Sequence, residues 1–121
     1  MLRLAVGTDL VEIRRVGELV ARYGTRFTDR VFTVIELADS CGRVESLAAR
    51  WAAKEAVAKA LGTGFGAVSP RDIEVVRDEK GRPCLRLYRT AQAEADEQGL
   101  TRWALSLAHD GGLAVAYVMA M

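Results

Sequence analysis

The chain has 121 residues and a mass of 13.2 kDa, which is the length of one ordinary domain. Half of its residues are hydrophobic and 27% are charged, a globular composition that excludes disordered and fibrous proteins. The formal net charge of +1 argues against a dedicated nucleic-acid-binding protein, because such proteins usually carry a basic excess that neutralises phosphates. We therefore expect a single domain over residues 1–121, with no nucleic acid as its main partner.

The cysteines and the apolar segments indicate a cytoplasmic protein. Cys41 and Cys84 are far apart and lack the spacing of metal ligands, and a single histidine leaves no set for structural zinc. Two lone thiols suit a reducing compartment. No apolar run approaches the roughly 20 residues that cross a bilayer, and the apolar start of the chain is too short for a signal peptide. We therefore expect no membrane partner.

The first half of the chain is predicted to form one strand and several helices. These are a strand over residues 2–6, a helix over 10–23, short helices within 26–40 and a long helix over 47–61. Gly7-Thr8-Asp9 is predicted to end the strand, and Gly24 to end the first helix. Thr33 is a candidate N-cap, while Ser46 and Gly62 are expected to begin and end the long helix.

The second half is predicted to form two hairpins around a polar helix. The elements are strands over residues 72–77 and 83–88, a helix over 90–98 and closing strands over 103–109 and 113–119. In the closing hairpin one alternating set is large and the other is mostly small: Ala104, Ser106, Ala108, Ala114, Ala116, Val118 and Ala120. A three-residue loop would pair large with large, whereas a two-residue loop would mix the sets. A face of alanines admits close packing by a helix of the same chain or by another subunit.

Asp9 and Glu12 can be interpreted in two ways. Their spacing is typical of a helix N-cap with a reciprocal carboxylate. A carboxylate held at a strand end can instead face a metal ion or a phosphate. The local pattern leaves both interpretations open.

The predicted long helix carries the densest set of charged residues. Trp51, Glu55 and Lys59 recur every four residues and share a face. Glu55 and Lys59 form either an ordinary surface pair or a carboxylate and ammonium suited to a divalent cation beside a phosphate. Arg50 and Lys54 are like charges four residues apart, which is unfavourable unless an anion lies near them.

Two glycine-rich segments lie beside candidate residues. Gly62-Thr63-Gly64-Phe65-Gly66 follows a helix, so it lacks the strand-to-helix context of a dinucleotide-binding loop. His109 stands at a predicted strand end beside Gly111 and Gly112. Three interpretations of His109 stay open: an exposed turn residue, a general base, or a hydrogen-bond partner for a phosphate.

Together these segments resemble the holo-acyl-carrier-protein synthases, the small class of 4′-phosphopantetheinyl transferases. The resemblance is carried by GTDLVEI at 7–13, LAARWAAKEA at 47–56, KALGTG at 59–64, DIEV at 72–75 and SLAH at 106–109. It covers most of the chain, is most specific at AAKEA and KALGTG, and is weakest over residues 25–45. It implies an α+β fold, in which an antiparallel sheet packs against a long central helix and shorter helices.

The resemblance also implies an activity. The family transfers 4′-phosphopantetheine from coenzyme A to a serine of apo acyl carrier protein, releases 3′,5′-ADP and supports fatty acid biosynthesis. It implies a homotrimer with active sites between subunits, and Arg15 as a contact for acidic residues of the carrier. The alternative is a non-catalytic module that binds coenzyme A or a carrier protein, which the retained Asp9, Glu55 and Lys59 disfavour.

The resemblance assigns roles by position. Asp9 and Glu55 would be catalytic residues that hold Mg²⁺ against the coenzyme A pyrophosphate, and Lys59 would neutralise charge on the bridging or leaving phosphate. The implied coenzyme A contacts are Arg50, Lys59, Gly62, Gly64 and His109. We further expect Arg50, Lys54 and Lys59 to form one cationic cluster for the nucleotide phosphates.

Three positions depart from the usual family pattern. Ala108 replaces the second serine of a closing S-x-S-H motif, which removes a hydroxyl near the implied nucleotide site. Ala5 stands where glycine is common, and Trp51 stands where phenylalanine is common. None of the three is an implied metal ligand.

Overall fold

The computed structural model describes residues 3–121. In chain order the elements are β1 (Ala5–Glu12), α1 (Ile13–Tyr23), α2 (Thr25–Val31), α3 (Val34–Ser40), α4 (Val44–Leu61), β2 (Ile73–Arg77), β3 (Pro83–Leu87), α5 (Arg89–Glu97), β4 (Trp103–Asp110) and β5 (Leu113–Ala120). Short 3₁₀ turns at Gly64–Gly66 and Pro70–Asp72 connect α4 to β2. The predicted α+β architecture, with antiparallel sheets and a long central helix, is confirmed.

The strands form two antiparallel sheets. The larger sheet has the order β1-β5-β4, so the last strand of the chain lies between the first strand and β4. The smaller sheet is the β2-β3 hairpin, whose turn is held by Asp78. Among the helices of residues 3–121, none is long and apolar enough to cross a membrane.

The first strand is longer than predicted, so the predicted helix start at Leu10 is wrong. All eight residues of β1 pair with β5, from Ala5 opposite Ala120 to Glu12 opposite Leu113, and this ladder keeps the segment extended. The helix begins only at Ile13. Glu12 precedes α1 without a side-chain capping bond to the described residues, so the N-cap interpretation of Asp9 and Glu12 is wrong. Part of the predicted strand, Leu2, lies outside the described residues.

Helix α4 occupies the centre because its side chains are small. Its buried positions include Ala48, Ala52, Ala53 and Ala56, and it packs against both β1 and β5. On β1, Gly7 lies so close to α4 that an added Cβ would overlap the carbonyl oxygen of Ala56. Gly7 is therefore a close-approach residue within the strand, and the prediction that it ends the strand is wrong.

The closing hairpin has a two-residue turn at Gly111 and Gly112, so large and small residues share each face. The small residues of β5 point inward and are buried: Ala114, Ala116, Val118 and Ala120. They pack against α4 of the same chain, so a subunit contact through this alanine face is wrong for β5. The opposite face of the sheet carries exposed apolar side chains, including Val6, Leu10, Tyr117 and Met119.

The other predicted elements are present with shifted ends. Thr33 caps α3 as predicted, in a capping box with Glu36. Helix α4 begins at Val44 rather than after Ser46, and Gly62 ends it in the left-handed conformation. Ser46 lies inside the helix, where its hydroxyl contacts Ser40 and Arg50.

Candidate active site

Asp9, Glu55 and Lys59 come together between β1 and α4. The inward face of β1 carries Asp9 toward the helix, and its side chain is 10% exposed. Lys59 donates from Nζ to Asp9 Oδ1 at 2.6 Å and to the Thr8 carbonyl oxygen at 3.2 Å. Glu55, one turn before Lys59, lines the same cavity as Asp9. Strand and helix thus place two carboxylates and one ammonium in a single cluster.

The two carboxylates perturb one another. The pKa of Glu55 is raised to about 7, first by burial and then by hydrogen bonding to and repulsion from the Asp9 carboxylate. Lys59 partly opposes this effect. The pKa of Lys59 itself is raised, mainly by its hydrogen bond to Asp9. Crowded carboxylates with a raised pKa favour a cation or a shared proton between them.

The donor set fits Mg²⁺. Within residues 3–121 no group of three or more His, Cys, Asp or Glu side chains is placed to hold a metal ion. Mg²⁺ is usually held by one or two carboxylates, with the remaining positions taken by water and substrate phosphates. Asp9 and Glu55 supply those carboxylates, and a positive ion between them would relieve the repulsion that raises the Glu55 pKa.

The cavity beside this cluster is lined by α1 as well as α4. Its volume is about 220 Å³, and its walls include Arg15, Leu19 and Trp51. Trp51 continues into a row of aromatic rings, 5.7 Å from Phe65 and 6.1 Å from Phe27 between ring centroids. The structure therefore places Arg15 within reach of the carboxylates, next to an aromatic wall.

Arg50 and His109 line a second cavity, of about 290 Å³, with Arg43 and Arg77. Arg50 is 2% exposed and donates from one guanidinium nitrogen to the Ser46 hydroxyl and carbonyl oxygens. Its Nε atom has no hydrogen-bond partner among residues 3–121. Three arginines, one histidine and an unsatisfied buried donor form a site suited to an anion with several oxygens.

The two cavities lie apart within one chain. Asp9 is on β1 and His109 is on β4, at opposite edges of the sheet. Two strand spacings, about 10 Å, separate these edges, and α4 contributes different residues to the two cavities, Arg50 to one and Glu55 to the other. The structure thus unites Asp9, Glu55 and Lys59, and separately unites Arg50 and His109. We call these two groups the carboxylate half-site and the arginine half-site.

Lys54 does not join a cationic cluster with Arg50 and Lys59, so that expectation is wrong. Its side chain is fully buried, and Nζ donates to Glu36 Oε1 at 2.7 Å and to the carbonyl oxygens of Pro70 and Ile73. Burial lowers the pKa of Lys54, while the Glu36 carboxylate opposes this shift. The Glu36 carboxylate interacts with both Arg50 and Lys54, so its negative charge offsets the repulsion between these two cations.

The predicted glycine loop directly follows the carboxylate half-site. Gly62 and Gly64 both adopt positive φ angles, +76° and +63°, and both are exposed. Gly62 lies three residues after Lys59, so the loop begins within one helical turn of that residue.

Sequence patterns did not reveal two residues of the arginine half-site or the buried partner of Lys54. Arg43 and Arg77 join Arg50 in its cavity although they come from different elements, the turn before α4 and the end of β2. One sequence feature points to Glu36: it follows Thr33 by three residues, which is the spacing of a capping box. Nothing local indicated that its carboxylate would also bind Lys54 and the amide of Val75.

Comparisons with known proteins show which sequences and structures the chain resembles. Residues 5–118 match the family model described as the 4′-phosphopantetheinyl transferase superfamily. A relative from Herpetosiphon aurantiacus, named holo-[acyl-carrier-protein] synthase, is 47% identical and aligns over 98% of each chain.

Solved structures give the same result. A holo-[acyl-carrier-protein] synthase from Helicobacter pylori, in complex with coenzyme A, has a TM-score of 0.88 at 30% identity, covering 96% of this chain and 99% of that one. A synthase from Neisseria meningitidis has a TM-score of 0.87 at 38% identity and covers 97% of both chains.

Proposed function

Since the chain belongs to the 4′-phosphopantetheinyl transferase superfamily, and within it to the holo-[acyl-carrier-protein] synthases, we propose what its individual residues contribute to the transfer reaction. The reaction moves 4′-phosphopantetheine from coenzyme A to a serine of apo acyl carrier protein and releases 3′,5′-ADP. In this proposal the enzyme supplies carriers for fatty acid biosynthesis.

The observation that carries the proposal is the cluster of Asp9, Glu55 and Lys59. Transfer forms a bond between phosphorus and the serine oxygen and breaks the pyrophosphate bond, so negative charge grows on the departing 3′,5′-ADP. Phosphoryl transfer is catalysed mainly by positioning and by neutralisation of such charge. The Lys59 side chain is 57% exposed, so its ammonium group can reach a phosphate while it stays near Asp9.

Asp9 and Glu55 would hold Mg²⁺ through their carboxylate oxygens. Bound there, the ion supplies positive charge to the pyrophosphate of coenzyme A. Glu55 must be ionised to serve as a ligand, and Lys59 favours that state by its charge. Asp9 is held in place by the ladder between β1 and β5, so the geometry of the half-site is set by the sheet.

The arginine half-site would bind the nucleotide part of coenzyme A. Arg50 is anchored by Ser46 and presents a buried, unpartnered Nε, while His109 lies exposed at the end of β4. Gly62 and Gly64 would line the nucleotide site with backbone groups that side chains do not cover. The hydroxyl that Ala108 lacks would be replaced by the arginines of this cavity, Arg43 and Arg77.

We propose a homotrimer in which the carboxylate half-site of one subunit meets the arginine half-site of its neighbour. The separation of the two half-sites within one chain supports this arrangement, because one coenzyme A molecule needs both. The outer face of the large sheet supports it too. Val6 is 55% exposed, Leu10 61% and Tyr117 49%, an apolar surface typical of a subunit interface.

The carrier protein would dock on α1 and α2. Arg15 lines the cavity of the carboxylate half-site, and Arg26 and Arg30 line an adjoining apolar cavity of about 360 Å³. The two cavities share Leu19 and Trp51 as a wall. Arginines around an apolar cavity suit an acidic protein partner with a few apolar side chains. A carrier bound there would bring its serine close to Asp9 and Glu55.

We propose that residues 1–121 act as one domain in the cytoplasm. One continuous hydrophobic core joins both sheets and the helices, which supports a single folding unit. Cys41 and Cys84 are free thiols, as suits a reducing compartment.

A transfer assay tests the function. The protein is incubated with coenzyme A, Mg²⁺ and an apo acyl carrier protein, and the carrier is weighed by mass spectrometry. We expect the carrier to gain the mass of one phosphopantetheine group, and to gain nothing when Mg²⁺ is removed with a chelator. A carrier that binds the protein but never gains this mass would instead support a binding module.

A further inference from the structure

A third cavity opens where β3 meets α5, and its volume is about 610 Å³. None of its lining residues belongs to the carboxylate or the arginine half-site. Its walls carry the hydroxyl residues Thr33, Ser69, Tyr88 and Thr90, with Arg71 and Arg89 at the rim. The size lies within the range of small-molecule sites, and all of the lining residues carry a polar or charged group.

The wall of this cavity is fixed by Asp72. Its Oδ2 atom accepts from the Thr90 hydroxyl at 2.6 Å and from the Thr90 amide at 3.1 Å. Its carbonyl oxygen accepts from the Tyr88 amide at 2.8 Å, and the Ser69 amide donates to the Thr90 hydroxyl at 3.0 Å. Hydrogen bonds within the chain therefore hold the Pro70–Asp72 turn against the start of α5.

Arg89 has an unusual backbone conformation between two residues that are bound to Asp72. The residues on either side of it, Tyr88 and Thr90, are both bound to Asp72, and Arg89 adopts a φ of +36°. Glycine would adopt this conformation without the steric conflict that a Cβ brings. Strained residues of this kind concentrate at functional sites. An arginine at this position therefore indicates a use for its guanidinium group.

The rim has an excess of positive charge. Arg71 and Arg89 are exposed, and neither has an ion-pair partner among residues 3–121. Asp72 is the one carboxylate in the lining, and it is occupied by Thr90. Behind the wall, Glu74 accepts from Thr33 and Tyr88, and it lies near the buried charges of Lys54 and Glu36. The two guanidinium groups thus remain available for an anion.

We propose that this cavity binds a small molecule that carries a phosphate group, held by Arg71 and Arg89. Two guanidinium groups match the oxygens of a phosphate with paired hydrogen bonds, and the Ser69 hydroxyl lies in the same lining. The cavity is larger than a phosphate ion, so it leaves room for an organic part of the ligand. This site is separate from the transfer reaction.

Inorganic phosphate and pyrophosphate are the probes for the test. Each is titrated into the isotopically labelled full chain, without Mg²⁺ and against sodium chloride of equal ionic strength, while amide NMR shifts are followed. We expect saturable shifts at the amides of Ser69, Arg71 and Thr90. Shifts confined to Arg50 and His109, or no saturable shift at all, would overturn the proposal.

Three variants make the test specific. Arg71→Ala and Arg89→Gly should each weaken phosphate binding by about tenfold or more, because each removes charge-assisted hydrogen bonds. Arg89→Gly suits the backbone at +36°, so the fold is retained. Arg102→Ala removes an exposed arginine outside the lining and should leave binding unchanged.

Equal weakening in Arg102→Ala, or full affinity in both cavity variants, would contradict a built site. Transfer activity of Arg71→Ala provides the last readout, and it should equal that of the unmodified protein. A parallel loss of transfer activity would assign the cavity to the transfer reaction and overturn its independence.

Discussion

Four charged side chains on α4 form an interior pair and a pair that faces β1. Arg50 and Lys54 are buried, and Lys54 is matched by Glu36. Glu55 and Lys59 face the strand that carries Asp9. Spacing along the helix predicted the second group, because residues four apart share a face. It could not predict the first, because the depth of a side chain depends on α3 and β2, which are distant in sequence.

We expect Asp9→Asn and Glu55→Gln to lower the transfer rate by on the order of a hundredfold or more. Each change keeps the shape of the side chain and removes a charge, so several kcal/mol of transition-state charge stabilisation is lost. Glu97→Gln, at an exposed site on α5, is the matched control and should be fully active. Thermal unfolding of all three variants checks the fold, and full activity in either site variant would refute its assignment as a ligand.

The buried pair of Lys54 and Glu36 should be strongly coupled. Glu36→Gln or Lys54→Met alone should lower the free energy of unfolding by roughly 3–5 kcal/mol, because each leaves an uncompensated buried charge. The double variant should be more stable than the sum of the single changes predicts. Urea unfolding of the four proteins measures this cycle, and strictly additive losses would show that the pair is not coupled.

Contacts between elements depend on small residues at the interface of β1 and α4. Gly7 meets the backbone of α4 at Ala56 and Ala60, and the alanines of β5 meet the same helix from the central strand. The sequence showed the glycine and the alanines, but not that two strands and one helix use them together. The length of β1 was mispredicted for a related reason, since its partner β5 lies at the far end of the chain.

Gly7→Ala should destabilise the fold by about 1–3 kcal/mol or more, because the added methyl group overlaps the backbone of α4. It should also lower activity, since β1 must shift and Asp9 moves with it. Gly17→Ala is the matched control within α1, where the new Cβ would lie 3.4 Å from Val44 Cγ1, in ordinary contact. We expect that change to stabilise the protein by about 0.5–1 kcal/mol. Urea unfolding measures both changes. A shift of the urea midpoint in the same direction for the two variants would contradict this account.

The whole molecule has one apolar sheet face toward α4 and a second that is exposed. Resemblance to the family implies a trimer, and in our proposal each active site of that trimer combines the half-sites of two subunits. The sequence does not predict which surface would form the contact between subunits. The alanine face was one candidate, but the register of the two-residue turn directs the alanines of β5 inward and Tyr117 outward.

Mixing two inactive variants tests whether the sites are shared. Asp9→Asn lacks one carboxylate of the carboxylate half-site, and His109→Ala lacks the imidazole of the arginine half-site. Refolded together in equal amounts, they should regain activity at about one quarter of the sites, where two intact half-sites meet by chance. Each variant refolded alone provides the baseline. A mixture no more active than that baseline, in a verified trimer, would place the complete site within one chain.

The position of β5 between β1 and β4 has a consequence for synthesis in the cell. Strand β1 leaves the ribosome well before β5, its only ladder partner in residues 3–121. The large sheet therefore cannot close until β5 has been synthesised, and long-range pairing of this kind is slow. Until then the apolar residues of β1 have no partner strand. A nascent chain truncated before β5 would lack the central strand of its larger sheet.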